Sequence, residues 1–216
     1  MTSTDDRTHS AAPFVNETSG PAAARREAPG PLPREVLDRV RERDPAALGA
    51  FFERYVDQVY GLVYRLLGDR VLAEDVTQEV FLKVHRAAPQ LDTSRDPGPW
   101  LTTIATNACR DLWRSGAHRM RRASDSLEDE RGLAERLTRG QDEPEREAIA
   151  RERERIVQQA IAELPEPLRL AVVLHDYEGL DHLEIAKMTG LEHAAARKRY
   201  SRALQALGKL LKERLR

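Results

Sequence analysis

Apolar residues recur every three or four positions along most of the chain after residue 34, which is the spacing of one face of an α-helix. The clearest run lies between Leu48 and Leu67, where the large apolar side chains fall on one side of a single long helix: Phe51, Phe52, Tyr55, Val59, Leu62, Val63 and Leu66. Gly68 and Asp69 end this helix, and the next helix begins near Val71. No segment shows the alternating pattern of a β-strand with comparable clarity. The sequence therefore predicts an all-α fold.

Shifts in composition divide the chain into four segments. Residues 1–33 carry five prolines among small and polar residues, which predicts a disordered N-terminal tail. Residues 34–116 are helical in pattern throughout. Residues 117–144 are first basic and then acidic, which predicts a flexible linker, and residues 145–216 form a second helical segment. The expected architecture is two small helical domains joined by that linker.

The bulk composition restricts the class of protein. Charged residues make up 33% of the chain and aromatic residues 5%, which suits small helical domains with long solvated faces. The formal net charge is −1, so any attraction to nucleic acid must come from local patches. The single cysteine, Cys109, rules out an internal disulfide and predicts a reducing, cytoplasmic location. No apolar run is long enough for a membrane helix, so we expect no membrane insertion.

No pattern in the sequence indicates catalysis or a cofactor. We find no phosphate-binding loop, no paired catalytic carboxylates and no nucleophile motif. The three histidines at His175, His182 and His193 lack tight metal-ligand spacing and are interpreted as ordinary surface or core residues. Cys109 falls near the buried face of its helix and is interpreted as a small apolar filler. We therefore expect a protein that is not an enzyme and that holds no metal or cofactor.

The predicted helix over residues 71–88 has an unusual polar face. Its apolar residues point inward, and its outward face carries Asp75, Gln78, Glu79, Leu82 and Arg86. A lone exposed leucine means little, but a leucine ringed by polar and charged residues is typical of an interface centre with a polar rim. This face is a candidate protein-binding surface.

The predicted helix over residues 100–114 also has two distinct faces. Its apolar side is formed by Leu101, Ile104, Ala105, Ala108 and Leu112. The opposite side carries small polar groups and arginines, a combination that suits nucleic acid: Thr103, Thr106, Asn107, Arg110 and Arg114. Together with the preceding loop, residues 91–99, this side could hold an unstacked base. Trp100 either stacks on DNA or packs under the loop, and packing is the favoured interpretation.

The last segment has the pattern of a helix-turn-helix. A short helix around Leu183–Met188 is followed by a tight turn at Gly190 and by a long helix from about His193. From Leu191 to the end of the chain there are eight lysines or arginines and two glutamates, a net charge of +6. A basic helix after a tight turn commonly fills a DNA major groove. The candidate contact residues on this helix are Ala194, Ala195, Arg197, Lys198, Ser201 and Arg202.

Four motifs, in order and at the right spacing, resemble those of bacterial RNA polymerase sigma factors of the extracytoplasmic-function group in the sigma-70 family. They are Phe52, Tyr55, Val59 and Tyr60 with residues 64–69; residues 73–81; Trp100, Leu101, Ile104, Ala105, Asn107, Asp111 and Arg114; and residues 164–203. Each motif alone is weak, but four in sequence are specific. The resemblance covers residues 44–211, nearly everything outside the N-terminal tail.

The resemblance implies both a fold and a function. Residues 34–116 would be the region 2 bundle, which binds the clamp coiled coil of the beta-prime subunit of core RNA polymerase and melts the −10 promoter element. Residues 145–216 would be region 4, which reads the −35 element and meets the beta flap. An anti-sigma factor would be a candidate regulator. The start of the long basic helix departs from the family pattern, because Ala194, Ala195 and Ala196 offer methyl groups where hydrogen-bonding residues are common.

Two other functions stay open from the residues alone. A helix-turn-helix repressor or activator would explain residues 183–212 but would leave the face around Leu82 without a purpose. A sigma mimic that binds only an anti-sigma factor would keep the fold and lose the basic residues, yet Arg110, Arg114, Arg197, Lys198 and Arg202 are all present. The sigma-factor function is therefore the favoured interpretation.

Overall fold

The computed structural model describes residues 30, 32–115 and 144–214, and these residues contain helices and no strand. Four α-helices precede the gap: α1 (Arg34–Arg41), α2 (Pro45–Leu67), α3 (Arg70–Ala87) and α4 (Gly98–Arg114). A short 3₁₀ turn, Ala88–Gln90, follows α3. Four more follow the gap: α5 (Pro144–Glu163), α6 (Glu166–Val172), α7 (His182–Thr189) and α8 (His193–Arg214). The predicted tail and linker, residues 1–33 and 117–144, lie almost entirely outside the described residues.

Local signals set the ends of α2 and α3. Asp44 accepts a hydrogen bond from the Ala47 amide at 2.8 Å and caps α2, whose first residue is Pro45. Gly68 ends α2 in the left-handed conformation, with φ at 69°, and its amide donates to Tyr64 O. Asp69 then caps α3 by accepting from the Leu72 amide at 2.9 Å. A helix ends and the next begins within three residues, so α2 and α3 pack side by side.

The core of the first bundle comes from the apolar stripe of α2. Phe51 and Tyr55 are buried with ring centroids 4.7 Å apart, and Leu62 and Leu66 continue the stripe. Helix α4 packs against both α2 and α3. This arrangement leaves the outer face of α3 exposed beside the outer face of α4.

The second bundle is a helix-turn-helix, as the sequence predicts. Asp181 and Glu184 form a reciprocal capping box at the start of α7, and Gly190 ends α7 with φ at 70°. Helix α8 packs on α5, α6 and α7 through a stripe that includes Ala196, Ala203 and Leu207. Between α6 and α7 the chain forms one π-helical turn, Val173–Tyr177, which the sequence did not predict.

The two bundles contact each other. The carboxyl end of α2 packs against α5, α6 and the π-helical turn. Arg169 of α6 is 1% exposed and donates to Leu66 O of α2 at 2.6 Å. The sequence left open whether the two helical domains dock, and the structure places them in contact.

Across the described part of the chain, no helix combines the length and the apolar character that crossing a membrane requires.

Candidate partner and nucleic-acid interfaces

The outer face of α3 carries all five residues predicted for protein binding. Asp75, Gln78, Glu79, Leu82 and Arg86 are each exposed, and the Leu82 side chain is 58% exposed. We call these five residues the α3 surface. An apolar side chain this exposed within a polar ring is the arrangement of an interface centre and its rim.

Two neighbouring features stabilise and extend the α3 surface. Lys83 Nζ lies 3.0 Å from Glu79 and 3.7 Å from Asp111, so it links α3 to α4. Phe52 is 44% exposed and meets Phe81 edge to face, with ring centroids 4.8 Å apart. Helical spacing placed Phe52 on the apolar side of α2, and its position at the edge of that stripe explains its exposure. This aromatic pair is apolar surface near α3 that the sequence did not assign to the site.

Helix α4 presents part of the polar face that the sequence predicted. Asn107 and Arg114 are exposed, and Arg114 pairs loosely with Asp111 at 3.8 Å. Thr103 is half-buried, and its hydroxyl donates to Pro99 O at 2.9 Å. Arg110 is half-buried and donates to Thr189 O of α7 at 3.5 Å. Asn107 and Arg114 are therefore the two predicted residues with the most solvent access.

The assignment of Thr106 to the polar face is wrong. Its side chain is fully buried, and its hydroxyl has no hydrogen-bond partner among the residues that the structure describes. Because α4 packs against both α2 and α3, its buried stripe is wider than one neighbour would require. Thr102 and Thr106, one turn apart, fall inside that stripe. Thr106 is thus part of the packed interior.

The loop before α4 is held by its own polar groups. Thr93 is buried and donates to Asp38 of α1 at 2.7 Å. Hydrogen bonds from Ser94 lower the pKa of the exposed Asp92 carboxyl. Trp100 is half-buried against the core, in agreement with the favoured interpretation that it packs. Hydrogen bonds and packing therefore fix the loop and the start of α4 against the first bundle.

The exposed face of α8 agrees with the prediction for a groove-binding helix. One shallow concavity is lined by Ala194, Arg197, Lys198, Ser201, Arg202 and Gln205. All of these side chains are exposed, whereas Ala195 is half-buried. Ala195 can thus present only part of its methyl group. The cationic side chains lie where a recognition helix would meet phosphates and base edges.

Three histidines separated by seven and eleven residues come together at the helix-turn-helix. The ring centroids of His175 and His182 are 4.6 Å apart, those of His182 and His193 are 6.5 Å apart, and Tyr200 lies against His175 and His182. Burial, with the neighbouring His175 and His193, lowers the pKa of His182. Within the described residues, no group of histidine, cysteine or acidic side chains is arranged to hold a metal ion. We name these residues, with Tyr200, the histidine cluster.

Cys109 is buried, and burial raises the pKa of its thiol to about 12. The thiolate is the reactive form, so this cysteine is inert at neutral pH. Its interpretation as a core residue is confirmed.

The chain matches two family models in the expected order. The model described as Sigma-70 region 2 matches residues 51–119, and the model described as Sigma-70, region 4 matches residues 154–207. The first match contains the α3 surface and α4, and the second contains the helix-turn-helix.

Similar proteins agree with the family models. The RNA polymerase sigma-H factor of Pseudomonas aeruginosa is 30% identical over 85% of this chain and 95% of its own length. The ECF RNA polymerase sigma factor SigW of Bacillus subtilis is 28% identical over 83% of this chain and 97% of its own length. The ECF RNA polymerase sigma-E factor of Haemophilus influenzae is 30% identical over 80% of this chain and 91% of its own length.

Solved structures share the fold. CnrH, in complex with the cytosolic domain of CnrY, has a TM-score of 0.53 and 23% identity, covering 83% of this chain and 97% of its own. The sigma factor RpoE, in complex with the anti-sigma factor NepR from Bartonella quintana, has a TM-score of 0.55 and 17% identity, covering 76% and 96%. The two matched regions, their order and the full-length relatives lead to one conclusion: the chain belongs to the sigma-70 family of RNA polymerase sigma factors, in its extracytoplasmic-function group.

Proposed function

We propose that this sigma factor binds core RNA polymerase through the α3 surface, reads the −35 promoter element with α8 and opens the −10 element with α4. The observation that carries the proposal is the simultaneous exposure of two unlike faces. The α3 surface is apolar at its centre and mixed in charge, whereas the outer face of α8 is cationic. A repressor or activator acting alone would need only the second face.

The α3 surface suits a protein partner. Leu82 supplies an apolar centre, and Gln78, Glu79 and Arg86 around it can pair with polar groups at an interface rim. The partner that fits the family is the clamp coiled coil of the beta-prime subunit. The second bundle would meet the beta flap.

The outer face of α8 suits duplex DNA. Arg197, Lys198 and Arg202 can contact phosphates or the acceptor edges of guanine in the major groove. Ala194 offers a methyl group for contact with thymine, and Ser201 offers one hydroxyl. Reading of the −35 element would thus depend on a few long cationic side chains near the start of the helix.

The α4 face suits a single strand. Asn107 can both donate and accept hydrogen bonds to the edge of an unstacked base, and Arg114 can contact a phosphate. Arg110 and Thr103 lie on the same side of α4 but are partly occupied by other contacts. Extruding a base costs a few kcal/mol, which contacts of this kind recover.

Control by an anti-sigma factor is part of the proposal. The RpoE structure that shares this fold holds an anti-sigma factor, NepR. A protein that covered the α3 surface, or that held the two bundles together, would block the binding of polymerase and DNA.

Run-off transcription tests the proposal. Purified core RNA polymerase is mixed with this protein and with fragmented genomic DNA from the organism that carries the gene, and discrete new start sites are expected. A variant with Leu82→Ala, Gln78→Ala and Glu79→Lys should abolish these transcripts and binding to core enzyme. The matched control carries Glu53→Ala, Asp57→Ala and Gln58→Ala, three exposed positions on α2. Transcripts from the α3 variant equal to those from the control would refute the assignment of the α3 surface.

A further inference from the structure

The loop between α3 and α4, residues 91–97, has a buried and an exposed set of side chains. The buried ones are Leu91, Thr93 and Pro97, and the exposed ones are Asp92, Ser94, Arg95 and Asp96. Asp92 accepts hydrogen bonds from the amide and the hydroxyl of Ser94, and Asp96 accepts from the Gly98 amide. These contacts join near neighbours in the chain. They set the internal shape of the loop and leave its place on the bundle to other contacts.

One hydrogen bond joins this loop to a distant part of the chain. The Thr93 hydroxyl donates to Asp38 Oδ1 of α1 at 2.7 Å, across 55 residues of sequence. Thr93 is 7% exposed, so its hydroxyl needs a partner within the protein. A hydrogen bond is directional, whereas apolar packing is not. The bond to Asp38 therefore restricts the loop to one position more closely than burial of the loop would do alone.

Helix α1 holds the connection from α3 to α4 at a second place. Arg43, in the turn after α1, donates to His85 O at 3.2 Å and to Arg86 O at 3.0 Å, both in the last turn of α3. Its backbone φ is 62°, in the left-handed region that residues other than glycine rarely adopt. Helix α1 also packs on the 3₁₀ turn that follows α3. It thus fixes both the end of α3 and the loop that leads into α4.

We propose that Asp38 is a positioning residue for strand opening: through Thr93 it places the loop so that the exposed Ser94 and Arg95 contact the single strand that α4 binds. This role of Asp38 rests on the strand opening in the function proposed above. Asp38 does not contact the strand itself, because a carboxylate and a phosphate repel each other. It accepts one hydrogen bond, and α1 thereby takes part in opening the promoter.

The position of the loop matters because it directly precedes α4. Asn107 lies nine residues after Gly98, the first residue of α4, which is about 14 Å along the helix axis. A strand that runs from Asn107 towards the first turn of α4 reaches the loop within a few nucleotides. The Arg95 side chain is 82% exposed and pairs with Asp92 at 3.2 Å. Such an exposed ion pair is weak, so Arg95 can exchange it for a phosphate.

The charge of Asp38 does not account for its place beside the loop. Arg34 Nε and Arg41 Nη2 each lie 3.9 Å from its carboxylate, and both arginine side chains are exposed. Ion pairs of this kind contribute little to stability. The contact with Thr93 is shorter and partly buried. Asparagine keeps an acceptor oxygen and loses the charge, so it separates the two contributions.

Matched substitutions test the hydrogen bond. Asp38→Ala and Thr93→Val each remove one partner, whereas Asp38→Asn and Thr93→Ser keep the acceptor oxygen and the donor hydroxyl. Glu35→Ala removes an exposed carboxylate from the same helix and is the control. Each full-length variant is assembled with core RNA polymerase. The affinity of each complex is measured for a fluorescent single-stranded DNA that carries the −10 sequence of a promoter mapped by run-off transcription.

Asp38→Ala and Thr93→Val should each lower this affinity about fivefold, the factor that one hydrogen bond contributes. The double variant should also lose about fivefold, because both changes remove the same bond. Asp38→Asn, Thr93→Ser and Glu35→Ala should bind the strand as the parent protein does. Binding to core enzyme should stay unchanged in every variant, which a general loss of folding would not allow.

Four results would overturn the role of Asp38. They are parent-like affinity in both Asp38→Ala and Thr93→Val, equal losses in Asp38→Asn and Asp38→Ala, a loss of about 25-fold in the double variant, and weakened binding of Asp38→Ala to core enzyme. A fifth is the absence of transcripts from the parent protein, which would refute the proposed function as well.

Asn107→Ala, measured in the same assay, distinguishes the two proposals. Reduced affinity in Asn107→Ala with parent-like affinity in Asp38→Ala would overturn the role of Asp38 and support that of α4. The reverse result would support the role of Asp38 and remove Asn107 from the strand-binding face.

Discussion

At the scale of single residues, burial controls the charge of the histidine cluster. The Nδ1 atom of His182 is buried, and burial together with the neighbouring His175, His193 and Arg197 lowers its pKa, while Asp181 opposes this. His182 is therefore neutral in the folded protein under conditions in which it is partly protonated when unfolded. Protons bind preferentially to the unfolded state, so acid weakens the fold through this residue.

The contribution of His182 to the free energy of unfolding should fall as the pH drops from about 7.5 to about 5.5, since the unfolded histidine titrates near 6.5. His182→Gln should remove a measurable part of this fall in urea denaturation. Gln90→Ala, which changes an exposed position and no titratable group, is the control and should leave the pH dependence unchanged. Carboxyl groups with a lowered pKa, such as Asp181, contribute mainly below about pH 4 and so outside this window. Identical pH profiles for the parent protein and His182→Gln would contradict the role given to burial.

At the scale of elements, the proposed function divides the two tasks of promoter recognition between α4 and α8. Helix α8 presents an exposed cationic face at the edge of a helix-turn-helix, an arrangement that fits a groove in duplex DNA. Helix α4 lies between α2 and α3 beside a loop held by internal hydrogen bonds, which suits an extruded base. A helix that binds a groove acts on duplex DNA, whereas a pocket for an unstacked base acts only after the two strands have separated.

Arg197→Ala and Lys198→Ala should therefore weaken duplex promoter binding by roughly 1–3 kcal/mol for each side chain that reads a base. Asn107→Ala and Arg114→Ala should leave duplex binding almost intact and reduce strand opening. Permanganate footprinting on duplex and pre-melted promoters distinguishes the two. Pre-melting should rescue the α4 variants and leave the α8 variants impaired. Arg153→Ala on α5 and Gln90→Ala, at exposed positions outside both faces, are the controls. If pre-melting rescued both the α4 and the α8 variants, or neither, the assignment of strand opening to α4 and of duplex binding to α8 would be contradicted.

At the scale of the whole molecule, Glu178 makes the contact between the two bundles depend on pH. Burial raises the pKa of the Glu178 carboxyl in the docked form, opposed by its hydrogen bond from Thr102. Separation of the bundles would return this carboxyl to water and to its usual range near 4.3. The Glu178 carboxyl binds a proton more readily when the bundles are in contact. Contact between the bundles is therefore favoured as pH falls and weakens as pH rises through the raised pKa.

With spin labels at Glu53→Cys on α2 and Lys209→Cys on α8, Glu178→Gln should make the distribution of label distances narrower than in the labelled protein that keeps Glu178, at pH 7.5. The amide keeps an oxygen that accepts from Thr102 and carries no charge to be buried. The same variant should lose the pH dependence that Glu178 gives to the contact between the bundles above its usual pKa near 4.3. Thr102→Val serves as the opposite case and should broaden the distribution, because it leaves the Glu178 carboxylate without this donor. A broader distribution in Glu178→Gln would show that the charge of Glu178 stabilises the junction.

Most of the fold was predictable because its signals are local. The apolar stripe of α2, the Gly68 and Asp69 boundary, and the turn at Gly190 are set by side-chain spacing and backbone preferences within a few residues. The exposed residues of the α3 surface and of α8 were predictable for the same reason, since one helix with one buried face determines its other face.

What the sequence by itself determined is thus the helices, their order, the helix-turn-helix and the two exposed faces that mark the family. Only the tertiary structure decided which side chains meet across long stretches of chain. Thr106 is buried because α4 has two neighbours rather than one, and the histidine cluster forms because three helix ends converge. The sequence pattern did not single out Arg169, whose side chain is buried between the bundles and donates to carbonyls at the ends of α2 and α5. The spacing of apolar residues along a helix shows which face is buried. It carries no information about which other element covers that face.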